Sequence, residues 1–209
     1  MLSLSVWLFG AALLAQTAEH TPLQTWTGLD FTKALPHKIE VEAAVGGLSG
    51  GRDHAAEADV DFYYSPLSHL TVGANYQHWR YMLGSGALVG EHRWTGEATL
   101  HWTIAEKWQL SDRSRSDSRF VGGRFRQDYA NRLKIARWIS VKGCRLKPYA
   151  SLEPVYEFDL HDWSTRRYAA GVQVAVSKHV VLDFGYFRET NFHYGDGLQI
   201  VGPVVYFNY

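Results

Sequence analysis

The sequence predicts an all-β fold, namely an antiparallel, up-and-down transmembrane β-barrel. Apolar residues recur with a period of two from residue 23 onward, which is typical of strands with one apolar face. Short connections alternate with longer ones, as they do in an up-and-down meander. An apolar N-terminal stretch and the aromatic C-terminal residue Tyr209 are both typical of proteins exported to the bacterial outer membrane.

Residues 1–18 have the pattern of a cleaved signal peptide. Residues 2–15 are almost entirely apolar, and the small residues Ala15 and Thr17 flank one small-x-small cleavage site. Because this stretch lacks Lys and Arg, a buried N-terminal helix is the alternative interpretation. No other apolar run reaches the ~18 residues that a transmembrane helix needs. Residues 19–209 form one predicted domain, because no linker or long repeat divides them.

Alternation of apolar and polar residues predicts the strands in order. It runs through residues 39–45, 56–64, 70–77, 93–102, 172–176, 180–186 and 201–209. Together with segment 24–32 and the segments between 108 and 157, eleven strand-like segments can be counted. A bacterial barrel is expected to have an even number of strands. We therefore expect either ten strands, with 24–32 outside the wall, or twelve.

The lengths of the connections predict which strand ends lie together. Short turns occur at 65–68, 103–107 and 177–179, and longer Gly- or His-rich loops at 46–54, 83–92, 159–165 and 191–197. In outer-membrane barrels the short turns face the periplasm.

Composition argues against several functions. The 21 Lys+Arg balance the 21 Asp+Glu, and a nucleic-acid partner is not expected because phosphate contacts need a basic excess. Cys144 is the only cysteine, so an internal disulfide and a cysteine-based zinc site are both ruled out. The ten His residues form no H-E-x-x-H pattern, and no glycine motif for phosphate is present. We predict no metal and no cofactor.

Catalysis is not predicted either. A lipid-modifying hydrolase of the outer membrane would need His and Ser two residues apart on a lipid-facing strand. The nearest similar pair is His101 and Thr103, with Thr in place of Ser. Such a hydrolase is a minor alternative.

The direction of the apolar face distinguishes a membrane barrel from a soluble one. In a membrane barrel the apolar residues face lipid and the charged residues fill the lumen. Trp102 and Trp108 share one face and flank a short turn, as interfacial aromatic residues do. We predict outer-membrane lipid outside, and an aromatic girdle of Trp94, Trp102, Trp108, Phe207 and Tyr209.

A secreted soluble barrel that binds an apolar ligand is the alternative to a membrane barrel. It requires the interior to be apolar, and therefore requires burial of Trp94, Leu100, Val174 and Phe184.

Charged residues at alternate positions predict a ladder inside the lumen. Its members are Glu97, Arg113, Arg115, Asp117, Arg119, Arg124, Arg126, Asp128, Arg132, Lys134, Glu153 and Glu157. Guanidinium–carboxylate pairs would brace a closed, structural lumen. Unpaired arginines would instead attract a small anionic solute into a pore. Acids interleaved along the ladder would favour the closed lumen, whereas acids confined to one wall would favour the pore, and the sequence leaves both open.

The hairpin between residues 112 and 131 has a second polar face. If the chain turns at Gly122 and Gly123, Ser114, Ser116 and Ser118 oppose Gln127, Tyr129 and Asn131 on the outward side. Polar side chains are costly at the middle of a bilayer. We expect the upper half of this hairpin to rise beyond the bilayer or to pack on a partner.

The sequence resembles an uncharacterised bacterial family, domain of unknown function 2490, over residues 23–209 and most strongly over 108–190. The residues that carry the resemblance are Arg113, Arg115, Asp117, Arg119, Arg132, Leu133, Tyr149, Glu153, Gly185 and Tyr186. Asp117 stands where Glu is commoner, and Ala130 where the family tends to have Arg. The resemblance implies an outer-membrane β-barrel of about 10–12 strands and no known activity. The aromatic C-terminal strand resembles the signal that outer-membrane assembly machinery reads.

Overall fold

The computed structural model describes residues 23–50, 54–105, 107–192 and 197–209; the predicted signal peptide lies outside these ranges. The described residues form twelve β-strands and one short 3-10 helix, Pro36–Lys38. The strands are β1 Leu23–Leu35, β2 Ile39–Ser49, β3 His54–Leu67, β4 Leu70–Met82, β5 Leu88–Ile104, β6 Trp108–Val121, β7 Arg124–Arg137, β8 Ile139–Val141, β9 Cys144–Glu157, β10 Asp162–Ala175, β11 Val180–Asn191 and β12 Gly197–Asn208. Within these ranges no helix is long and apolar enough to span a membrane.

The twelve strands close a barrel whose wall is eleven strands wide. The short strand β8 continues β7 past Trp138, and both pair with β9, so β7 and β8 act as one wall strand. Neighbours in sequence pair antiparallel around the wall, and β9 also pairs with β10. The predicted all-β, up-and-down barrel is confirmed.

The barrel closes through a parallel pair, which corrects the expected even number of strands. β1 pairs in parallel with β12, with Leu23 opposite Gln199, and antiparallel with β2. Segment 24–32 therefore belongs to the wall, and neither ten nor twelve is right. A parallel pair can close an odd number of strands because it still provides backbone partners on both sides of the seam.

The two ends of the barrel differ in their connections. We call the end that carries the connections β1–β2, β3–β4, β5–β6, β8–β9 and β10–β11 the turn end, and the opposite end the loop end. The described chain starts at the loop end with Leu23 and finishes at the turn end with Tyr209. The predicted turn at Gly122 and Gly123 is confirmed, with φ angles of 54° and 82°. Strand β2 continues to Ser49, so part of the loop predicted at 46–54 is strand.

The strands are strongly staggered. We traced paired residues around the barrel, from Ala34 on β1 through each strand to Asn191 on β11 and back to β1. The path returns to β1 about 14 residues closer to the loop end than it started. For eleven strands, this displacement corresponds to a strand tilt of about 40° from the barrel axis. Each rung of hydrogen bonds therefore climbs toward the loop end as it passes from β1 to β12. Residues on one rung lie at different heights along the barrel axis.

Side chains alternate between a charged interior and an apolar exterior. On β5, Glu91 is 1 % exposed, whereas Trp94 and Leu100 on the other face are 58 % and 40 % exposed. Phe184 is also exposed and Val174 is half-buried on the outward face. These are the side chains that the soluble-barrel alternative requires to be buried. The barrel therefore has the polarity of a protein surrounded by lipid.

Candidate functional site

The lumen contains an arginine network on strands β5–β11. Its cations are Arg93, Arg113, Arg115, Arg119 and Arg167, and its anions are Glu91, Glu97, Asp117, Asp128, Glu153 and Glu189. All these residues lie on the inward face because the strands alternate and their registers are aligned.

Glu153 is the centre of one half of the network. Its carboxylate accepts from Arg113 Nη2 at 2.9 Å, from Arg167 Nη1 at 3.0 Å and from Arg115 Nη2 at 3.4 Å. The donors belong to β6 and β10, and β7 separates β6 from Glu153 on β9. The buried residue Ala130 pairs with Arg115 on this intervening strand, and its small side chain leaves room for the arginines to cross. Glu153 therefore joins the three strands β6, β9 and β10 across the intervening strand β7.

Glu91 is the centre of the other half. Arg119 binds it bidentately, with Nε at 2.8 Å from Oε1 and Nη2 at 3.0 Å from Oε2. Arg93 Nη2 donates to the same carboxylate at 2.7 Å. Arg119 Nη1 also reaches Asp128 at 3.1 Å. Bidentate, buried pairs of this kind fix the geometry of both partners.

The structure brings together most, but not all, of the predicted ladder. Arg124 and Arg126 are exposed near the loop end, and Arg132 lies on the rung of Arg113. Lys134 Nζ lies over the ring of Tyr149, 4.3 Å from its centroid. Glu157 does not join the arginines in the described structure. It accepts from Ser164 and Thr165, because the strand irregularity between Asp162 and Thr165 brings Ser164 against it.

Sequence reasoning missed several members of the network. Glu91 and Arg93 precede the predicted ladder on β5, and Arg167 and Glu189 lie on β10 and β11. Extending the period of two backward from Glu97 would have found the first pair. Arg167 and Glu189 are opposite one another across two strands, and only the register of those strands could have identified them.

A second charged region lies on the other side of the lumen. Strands β1–β3 carry five inward carboxyl groups that are at least partly buried, which we call the acidic wall: Asp30, Glu42, Glu57, Asp59 and Asp61. The alternation within residues 39–45 and 56–64 predicts two strands with a polar face, but it does not show that the acids of these strands converge. The lumen is therefore segregated, with the arginine network on one side and unpaired acids on the other.

The predicted aromatic girdle residues all lie on the outward face. Trp102 and Trp108 flank the β5–β6 turn, Phe207 stacks on Phe31 with ring centroids 5.0 Å apart, and Tyr209 follows at the turn end. Trp94 lies ten residues from Ile104 toward the loop end. At ~3.3 Å per residue and a tilt of about 40°, this separation spans ~25 Å, the height of the apolar band of an outer-membrane barrel.

The outward polar residues of the β6–β7 hairpin lie partly above and partly below the level of Trp94. Ser118 pairs with Trp94, and the climbing rungs carry Ser118 and Gln127 above it. Below this level Asn131 Nδ2 donates to Asp112 Oδ1 at 2.6 Å and to Ser114 Oγ at 3.1 Å. These groups satisfy one another, which lowers the cost of facing lipid.

His101 and Thr103, the nearest match to a catalytic His–Ser pair, point into the lumen. Trp102 faces outward, so its neighbours His101 and Thr103 face inward at the turn end rather than toward lipid. In the described part of the chain, no three His, Cys, Asp or Glu side chains are grouped to hold a metal ion.

Residues 23–197 match the family described as "Protein of unknown function (DUF2490)". The chain belongs to this family. The match covers most of the barrel, from the start of β1 to the start of β12. None of the curated proteins matches the sequence.

The chain is similar to solved structures at low sequence identity. LpxR from Salmonella typhimurium is 8 % identical, covers 81 % of this chain and 83 % of its own, and has a TM-score of 0.58. The beta domain of the Bordetella autotransporter BrkA is 16 % identical, with coverages of 75 % and 79 % and a TM-score of 0.48. The NanC porin is 11 % identical, with coverages of 76 % and 78 % and a TM-score of 0.44. At these identities the likeness to LpxR establishes the fold alone.

Proposed function

We propose that this protein is a bacterial outer-membrane β-barrel with an occluded lumen, which serves a structural or solute-binding role rather than as an open anion pore. Its outward apolar band, ~25 Å high between aromatic residues, supports insertion in lipid. The fold shared with LpxR is consistent with this assignment. Outer-membrane lipid and, through the C-terminal strand, assembly machinery are the partners we propose.

The observation that carries the proposal is the neutralisation of Arg113, Arg115 and Arg119 by buried carboxylates. Glu153 and Glu91, 5 % and 1 % exposed, each bind two or more guanidinium groups. Charges that are paired in this way do not leave the positive field that would draw anions through a pore. Desolvated arginines also stay charged, so the pairs persist across ordinary pH.

A catalytic role is not part of the proposal. The polar groups on the lipid-facing side, Asp112, Ser114 and Asn131, are engaged with one another and have no histidine among their recorded partners. A small anionic solute remains the ligand of the competing pore hypothesis.

The test is single-channel conductance of the refolded mature chain in a planar bilayer, with a KCl gradient to read ion preference. We expect a barrel that floats with liposomes and shows heat-modifiable gel mobility, but gives no steady conductance steps. Steady anion-preferring steps that shrink in Arg115→Glu would overturn the proposal. Arg126→Glu is the matched variant, because it makes the same charge reversal at an exposed position near the loop end.

A further inference from the structure

A cavity of about 150 Å³ lies against the inner surface of β1–β3 and β12. Its charged and aromatic lining consists of Trp26, Asp30, Glu42, Glu57, Asp59 and Tyr206. Four carboxyl groups thus face one small space together with two aromatic rings. The arginine network does not use this cavity.

The cavity's carboxyl groups make no salt bridge within the described residues. Asp59 accepts from the backbone N–H of Ala44 at 3.0 Å, and Glu57 accepts from Gln77 at 3.0 Å. Arg93 donates to Gln77, and its charge also acts on Glu57. The carboxyls of Asp30 and Glu42 lie within hydrogen-bonding reach of each other. Two carboxylates so close repel each other unless a proton or a cation lies between them.

A buried acceptor beside the cavity also points to a missing donor. Asp61 lies opposite Glu42 across β2 and β3 and is only 4 % exposed. Its Oδ1 has no hydrogen-bond partner in the described part of the chain, and neither does Oδ1 of Asn75, which pairs with Asp61 on β4. Buried acceptors without donors are costly and uncommon in folded proteins. An N–H donor bound against Glu42 would lie next to Asp61, because these two residues are cross-strand partners.

The aromatic lining favours an organic cation over a bare ion. An indole or phenol face attracts an ammonium group and also contacts the carbon atoms attached to it. Trp26 packs against Trp79 with ring centroids 5.6 Å apart, and Trp79 stacks on Tyr81 at 5.7 Å. These three rings lie on the loop-end side of Asp30 and Asp59, so they form an aromatic approach to the acids.

We propose that the acidic wall binds a small primary ammonium ion, held by Asp30, Glu42 and Asp59 and covered by Trp26. A primary ammonium offers three charged donors to carboxylates that make no salt bridge, whereas a quaternary ammonium offers none. Hydrogen bonds between charged groups in a partly desolvated site are the strong ones. The inference is independent of conduction, because a closed barrel and a conducting barrel can both hold a ligand in a wall recess.

The test is isothermal titration of the refolded barrel with n-butylammonium chloride at constant ionic strength. We expect saturable binding with a change in tryptophan fluorescence, and weaker binding of tetramethylammonium. Glu42→Gln and Asp59→Asn should each weaken binding about tenfold or more, because each removes one charged acceptor.

Glu40→Gln is the matched control, because Glu40 lies on the same strand and the same face but is exposed and outside the cavity lining. It should leave binding unchanged. Equal weakening by Glu40→Gln would mean only diffuse attraction and would overturn the proposal, as would the absence of butylammonium binding. Calcium ions that bind at the same carboxylates and displace the amine at equal concentration would also overturn it, in favour of a metal site. Trp26→Leu is a second variant that tests the proposal even if Glu42→Gln fails to fold. It keeps all the carboxylates but removes the aromatic ring that covers the ammonium, and we expect it to lose amine binding.

Discussion

Glu153 shows how one residue can determine the arrangement of several strands. It is buried on β9 and is the shared acceptor of Arg113, Arg115 and Arg167. Glu189, by comparison, is more exposed and forms a salt bridge with Arg167. Removing a shared acceptor leaves several buried guanidinium groups without a counter-charge, and this costs more than the loss of an exposed pair.

The Glu153→Gln variant is therefore expected to lose about 3–5 kcal/mol of unfolding free energy, the usual cost of an uncompensated buried charge. Glu189→Gln makes the same chemical change at the edge of the network and should lose clearly less. Urea unfolding in detergent micelles, followed by heat-modifiable gel mobility, measures both. Equal losses in the two variants would show that Glu153 is not the centre of the network.

At the scale of the element, the β6–β7 hairpin combines a tight turn with two polar faces. Its inward face carries Arg113, Arg115 and Arg119, and its outward face carries the serines and Asn131. The turn residues Gly122 and Gly123 both have positive φ, as a two-residue hairpin turn requires. A side chain at either position would strain the turn that sets the register of the arginines.

Gly122→Ala is expected to destabilise the barrel by about 1 kcal/mol, because alanine in the left-handed region carries that steric cost. Gly96→Ala provides the control, since Gly96 lies mid-strand without a positive φ and a Cβ there would meet open space. That substitution should leave stability unchanged or slightly higher. Equilibrium unfolding of both variants checks the difference. An unchanged Gly122→Ala protein would argue against the hairpin turn described.

At the scale of the whole molecule, the parallel seam between β1 and β12 defines the barrel. It places the described start of the chain and its end at opposite ends of the wall. It also brings Asp30 beside Tyr206, so the cavity of the acidic wall depends on this closure.

A disulfide tests the seam directly. With Cys144 replaced by Ser, the pair Thr25→Cys and Val201→Cys should cross-link on oxidation, because these residues are partners on β1 and β12 and share the outward face. The pair Thr25→Cys and Ile200→Cys should not, because their side chains point to opposite faces. Non-reducing gel mobility and the mass of the protein read the outcome. Cross-linking of the second pair alone would show that the register is shifted.

The sequence by itself determined the all-β fold, the turn at Gly122 and Gly123 and the alternation that turns Arg113, Arg115 and Arg119 to one side. These features follow from a period of two and from local backbone preferences, which each segment carries independently of the others. The alternation also predicts which face of each strand points to the polar lumen, because a strand with one charged and one apolar face must separate lipid from a polar interior.

Only the tertiary structure decided how the wall closes and which charges meet. The odd strand count, the stagger and the parallel seam depend on pairings between residues far apart in the chain, for which no local pattern is a signal. For the same reason the contact of Glu153 with Arg167, the diversion of Glu157 to Ser164 and the convergence of Asp30 with Glu42 and Asp59 could not be predicted. Side-chain partners in a barrel are set by register and closure, and both are properties of the complete sheet.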